Sequence, residues 1–196
     1  MMRQCGGCTL CCKLLPVREL DKVAGQRCQH QRIGKGCAVY NSARMPSCCH
    51  WWNCRWLVND DTADLSRPDR SRYVIDLMPD YVTVIDDVTG EQTNVEVIQI
   101  WCDPKHPNAH RDPALRRYLE RRHAEGKFAL VRYNEADAIS LLLDTDGTWH
   151  EQSAKVDMTR GGYSLDKVAR ALGGQDHDDA RTGNATAAAA LPEAAA

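Results

Sequence analysis

Cys5-Gly6-Gly7-Cys8-Thr9-Leu10-Cys11-Cys12 places four thiols within eight residues, and Cys28, Cys37, Cys48, Cys49 and Cys54 follow before position 55. Nine of the ten cysteines of this 196-residue chain therefore lie in its first 54 positions. The same 54 residues hold only eight Leu, Ile, Val or Phe, whereas residues 73–143 hold 20 in 71. A segment with fewer than roughly 20% of such residues does not bury enough apolar surface to order itself. Something other than a hydrophobic core must organise the N-terminal third.

Disulfides and metal ions are the two chemistries that do so. Disulfides persist in oxidising compartments. Met1-Met2-Arg3-Gln4-Cys5 lacks the apolar stretch of about 7–15 residues that a secretory signal carries. Neighbours such as Cys11 and Cys12 also form only strained bridges. Metal in a cytoplasmic protein fits better. A Cys-x2-Cys turn aims two thiolates at one point, as in tetrahedral zinc knuckles, and Gly6 and Gly7 permit the curled backbone this needs. Two linked turns of this kind also open a ferredoxin-type cluster run. That run spaces its fourth cysteine by three residues and follows it with proline. Here Cys12 is immediate and the next proline is Pro16. Soft thiolates select zinc or an iron–sulfur cluster over magnesium or calcium, without choosing between those two. The candidate ligands are Cys5, Cys8, Cys11, Cys12, Cys28, Cys37, Cys48, Cys49 and Cys54. Eight thiolates make two four-sulfur sites; nine make a shared-thiolate cluster. His30 and His50 read as surface or supporting residues, and Cys102 as a small buried side chain.

The net charge of −2 hides a split. Residues 1–60 carry nine Lys/Arg against three Asp/Glu, and the remainder carries 16 against 24. Thiolate sites are themselves anionic, so the basic excess has a cause that requires no nucleic acid, and none is expected as a partner. No apolar run approaches the roughly 18 residues of a membrane span. Neither a phosphate-binding glycine loop nor a Ser/His/Asp constellation is present, and Asp86-Asp87, Asp144 and Asp146 read as turn residues.

CGGCTLCCKLLPVREL, CQHQRIGKGCAVY and MPSCCHWWNCRWL, read in that order, resemble the CxxCxxCC cysteine-cluster (YkgJ-type) family, a zinc- or iron-chelating domain with relatives of flagellin lysine N-methylase. Its further elements match Cys28-Gln29-His30, Gly36-Cys37-Ala38-Val39-Tyr40, and Pro46 through Cys49 to Cys54 and Trp56; Leu65-Ser66-Arg67-Pro68-Asp69-Arg70 is similar too. Met45 and His50 stand where that family has arginine, and Trp52 where it has phenylalanine. The resemblance implies metal chelation, and its spacing to Cys54 makes Cys49 the familial ligand beside an extra Cys48. It also raises an alternative, a cluster-dependent protein-modifying enzyme related to the methylase.

Downstream, strands are predicted at 73–77, 81–85, 95–101, 128–133 and 138–144, with turns near Thr89-Gly90 and Asp146-Gly147. Asp112-Pro113 starts a helix whose Leu115, Tyr118 and Leu119 form an apolar stripe, with Arg116, Arg117, Arg121 and Arg122 on a solvated face. A short helix is predicted around 164–172. The expected fold class is α+β: an irregular cysteine-rich metal-binding module (1–60), a small antiparallel β-sheet with one or two helices (61–155), and a disordered tail (174–196).

Overall fold

The computed structural model describes residues 3–76, 80–85, 88–157 and 186–187. The cysteine-rich segment has little regular structure. It contains single-turn helices α1 (Cys11–Leu14), α2 (Ser47–Trp51), α3 (Arg55–Val58) and α4 (Pro68–Ser71), and a two-residue hairpin of β1 (Gln31–Arg32) and β2 (Gly36–Cys37). Too few aliphatic side chains are available there to stabilise longer elements.

Beyond it lies a seven-stranded sheet built around β5 (Gln92–Cys102). β3 (Tyr73–Ile75) and β4 (Asp80–Ile85) both run antiparallel along one edge of β5. β6 (Phe128–Arg132) lies on the other edge, followed by β7 (Asp137–Leu143), β8 (Trp149–Asp157) and β9 (Thr186–Ala187). The fold class is α+β. Among the described strands the sheet is antiparallel at every pair but one: β5 and β6 are parallel. An 11-residue helix, α5 (Pro113–His123), makes the crossover that a parallel pair requires. Asp112 caps it, accepting the Ala114 N–H at 2.9 Å, and Pro113 fills the first helical position. The predicted helix around 164–172 and the tail 174–196 lie outside the described residues, except for β9, as do Leu77, Asp86 and Asp87. Among the described residues no helix is long and apolar enough to cross a membrane.

Alternation along β5 gives the sheet two buried faces. Ile98, Ile100 and Cys102 join Tyr73, Ile75, Val131 and Leu141 beneath Leu115, Tyr118 and Leu119 of α5. On the opposite face, Trp101 and Val74 are covered by Cys8, Leu10 and Leu14 of the cysteine-rich segment. Polar ties fasten that cover. Lys13 pairs with Asp103 at 2.6 Å, the Ala24 N–H donates to Glu135 at 2.6 Å, and the Trp52 indole N–H donates to Asp76 at 2.7 Å. Buried Arg132 donates to Gln99 at 3.0 Å and lies over the Trp101 ring at 4.8 Å.

Candidate metal centre

Cys5-Gly6-Gly7-Cys8 closes as a turn, with the Cys8 N–H donating to the Cys5 carbonyl at 2.9 Å. Gly6 has φ +51°, a left-handed conformation that glycine adopts without strain. Gly7 is required for a different reason. A Cβ there would lie 3.0 Å from the Gly34 carbonyl carbon and closer still to its oxygen. The turn bearing Cys5 and Cys8 and the hairpin bearing Cys37 therefore meet backbone to backbone.

The sulfurs gather in two neighbourhoods. Cys5, Cys8, Cys11 and Cys54 lie against Leu10, Leu14, Val74 and Trp101, on the sheet side of α1. Cys12, Cys28, Cys37 and Cys49 form the other. The Cys28 N–H donates to the Cys12 carbonyl at 2.9 Å. Burial, then the charges of Cys12, Cys28 and Cys49, push the Cys37 thiol up. The thiols of Cys11 and Cys12 are hydrogen-bonded to each other, so the two groups adjoin at α1. Cys48 is left over: it is exposed, with its Sγ 3.9 Å from that of Cys49.

In three close pairs one thiol is held above its ordinary range and its partner below it. Cys5 is raised by its hydrogen bond to Cys8, Cys11 by its bond to Cys12, and Cys48 by its bond to Cys49. Cys8 is correspondingly pulled down to about 6 by the Cys5 thiol, helped by the backbone N–H groups of Leu10 and Asp69. Cys12 is pulled to about 7 by Cys11, with the charge of Lys22 assisting. Cys54, with no such donor, is pushed up to about 11 by burial.

Two charged residues that the sequence alone does not mark organise the second neighbourhood. Lys22 is 5% exposed, and its ammonium donates to the carbonyls of Lys13 and Val23, each at 3.3 Å, and of Leu15. Burial lowers its pKa, against the opposing charges of Cys28, Cys12 and Glu135. Glu19 accepts the N–H groups of Ser47 and Cys48 at 2.9 and 3.0 Å and so caps α2, which presents Cys48 and Cys49. Lys22 follows Asp21 in a stretch that reads as surface, and only the Val17–Lys22 backbone bridge turns it inward.

The donor set has the chemistry of a thiophilic centre: eight sulfurs in two groups, with a buried cation between them and their surroundings. The sulfurs stand as pairs and neighbourhoods rather than closed polyhedra. Among the described residues no group of three or more His, Cys, Asp or Glu side chains stands in metal-holding geometry. His50 is exposed and His30 half-buried. Cys102 is 1% exposed in the α5-side core, where burial pushes its thiol up to about 12. Of the α5 arginines, Arg116 pairs with Glu151 at 2.7 Å, Arg121 with Asp64 at 3.6 Å and Arg122 with Asp61 at 3.3 Å, leaving Arg117 exposed. Comparison with family models, with characterised proteins and with solved structures finds no match to this chain.

Proposed function

We infer that this is a metal-binding protein of the cytoplasm, holding zinc or an iron–sulfur cluster through its N-terminal cysteines. One observation carries the reading: cysteines distant in sequence lie near one another around α1, in a segment with too little aliphatic surface to fold unaided. Cys5, Cys8, Cys11 and Cys54 would hold one centre, and Cys12, Cys28, Cys37 and Cys49 the other, with Cys48 spare. The resemblance to the CxxCxxCC family supports the same assignment. Bound there, the metal supplies the cross-links that a core would otherwise provide; structural zinc contributes on the order of 10–16 kcal/mol of apparent binding energy per site. The protein's own part is to gather the thiolates, and to hold Lys22 against them as a countercharge. The cover that Cys8, Leu10 and Leu14 form over Trp101 and Val74 favours a structural role over a metal-handling or redox one.

Anaerobic purification with metal analysis and an optical spectrum tests this. Zinc is expected to leave the protein colourless with bound metal in stoichiometric amount, and an iron–sulfur cluster to give sulfur-to-iron absorption in the visible. A protein that is folded and metal-free as purified, and that takes up neither metal, overturns the reading.

A further inference from the structure

At the carboxyl end of β5 the surface opens into a depression of about 420 Å³ lined by Arg72, Lys105, His106, Pro107, Asn108 and Ala109. Its position in the fold is informative. β5–α5–β6 is the one parallel connection among the described strands, and in parallel β-α-β units ligands bind beyond the carboxyl ends of the strands, in the loops that leave them. Lys105, His106 and Asn108 belong to that departing loop. Arg72 comes from the end of α4: it immediately precedes Tyr73 of β3, which pairs with Cys102 at the end of β5.

The rim is fixed in advance. Arg72 has φ +68°, a left-handed conformation unfavourable for a side-chain-bearing residue. It is pinned by its N–H to Pro68 O at 2.8 Å and by the Asp103 N–H to its own carbonyl at 2.9 Å. The Asp103 carboxylate accepts the Lys105 N–H at 3.1 Å and the Lys13 ammonium at 2.6 Å, and the His106 N–H donates to Asp103 O at 2.7 Å. The Tyr133 hydroxyl donates to Pro107 O at 2.8 Å. Such a loop has little conformational freedom left to lose on binding.

Its charge is uncompensated. Among the described residues neither Arg72 nor Lys105 takes part in an ion pair. The acidic group closest in sequence to Lys105, Asp103, is 4% exposed and already bound to Lys13. An arginine, a lysine, a histidine and an asparagine thus line one depression together with the apolar Pro107 and Ala109. A guanidinium fork fits two phosphate oxygens and an ammonium adds a point charge. We propose that this depression binds a phosphorylated small molecule, its phosphate held between Arg72 and Lys105 with His106 and Asn108 flanking, and its body against Pro107 and Ala109. The site is independent of the metal reading.

Titration of the full chain with inorganic phosphate at constant ionic strength, followed by amide NMR, tests it. Saturable shifts are expected at Arg72 and across 104–109, with none at the same concentration of acetate. Loss of one charge-assisted contact in Arg72→Gln or Lys105→Gln is expected to weaken binding about tenfold, while Arg117→Gln, an exposed arginine outside the depression, leaves it unchanged. Lys105 is on an exposed loop, so Lys105→Gln keeps the test readable if Arg72→Gln does not fold. Shifts that do not saturate, equal shifts with acetate, or undiminished affinity in Lys105→Gln overturn the proposal.

Discussion

Lys22 concentrates the physics of the cysteine-rich segment in one side chain. An ammonium has three donors, and three carbonyls take them, so Lys22 acts on Cys12 and Cys28 through charge rather than hydrogen bonds. Lys22→Met keeps the length of the side chain but removes the charge and strands those carbonyls. It is expected to destabilise the protein by about 1–3 kcal/mol and to release metal from the Cys12, Cys28, Cys37 and Cys49 group before the other. Chelator competition reads this as two classes of site where the parent has one; a single unchanged class would refute the countercharge role. The leftover sulfur gives a second expectation. Cys49→Ser should lose metal and Cys48→Ser should keep it, compared as metal-to-protein ratios. Equal losses would point to a nine-sulfur cluster instead. Cys-x2-Cys carries its geometry in four residues and so marks Cys5, Cys8 and Cys11; the other six sulfurs are candidates because they crowd the same aliphatic-poor segment. Nothing local marks Lys22, since Asp21-Lys22-Val23 reads as surface and its burial is decided by the carbonyls at the end of α1.

Among the elements, the Cys5–Cys8 turn and the β1–β2 hairpin depend on each other through Gly7 and Gly34. Gly7→Ala forces two backbones apart, whereas Gly6→Ala only places a methyl group in a left-handed conformation, at about 1–2 kcal/mol. Thermal melts and metal ratios are expected to rank Gly7→Ala as the more damaging; the reverse order would mean the hairpin does not rest on the turn. The sheet was open to reading at this scale. Val95 to Trp101 alternates, Asp112-Pro113 announces α5, and Leu115, Tyr118 and Leu119 form its buried stripe, and the structure has all three. The parallel pairing of β5 with β6 was not read, although a helix between two strands is the usual mark of a crossover. Alternation reports which face of a strand is buried and is silent on the direction of its neighbour. The depression beside Arg72 escapes for the same reason: its walls come from the end of α4 and the loop after β5, which only the β3–β5 pairing brings together.

Across the whole molecule, Glu151 ties β8 to the loop before α5 and to α5 itself. It accepts Arg111 at 2.8 Å, Arg116 at 2.7 Å and His110 at 3.1 Å. The Arg111 hydrogen bond, with the charges of His110 and Arg111, lowers its carboxyl from 4.5 to about 2. Folding therefore favours the ionised form, so the stability it contributes is complete above about pH 4.5 and is lost as pH falls toward 2. Tm is expected to fall over that window, and Glu151→Gln to start lower and vary less across it; parallel curves for the two proteins would remove Glu151 from the account. Metal removal reads the other side of the sheet. Under chelator, amide exchange is expected to rise throughout 3–60 and at Val74 and Trp101, while α5 and Leu115 stay protected. Uniform loss of protection would mean that one core, not two, governs the fold. The two faces of β5 also bear on inheritance. Ile100 and Trp101 are adjacent codons serving opposite halves of the protein, so neither half is a cassette that recombination can move alone. A gene fragment beginning after the cysteines would encode a sheet with Val74 and Trp101 bare, and a lineage shedding its cysteines would have to acquire another cover in the same step.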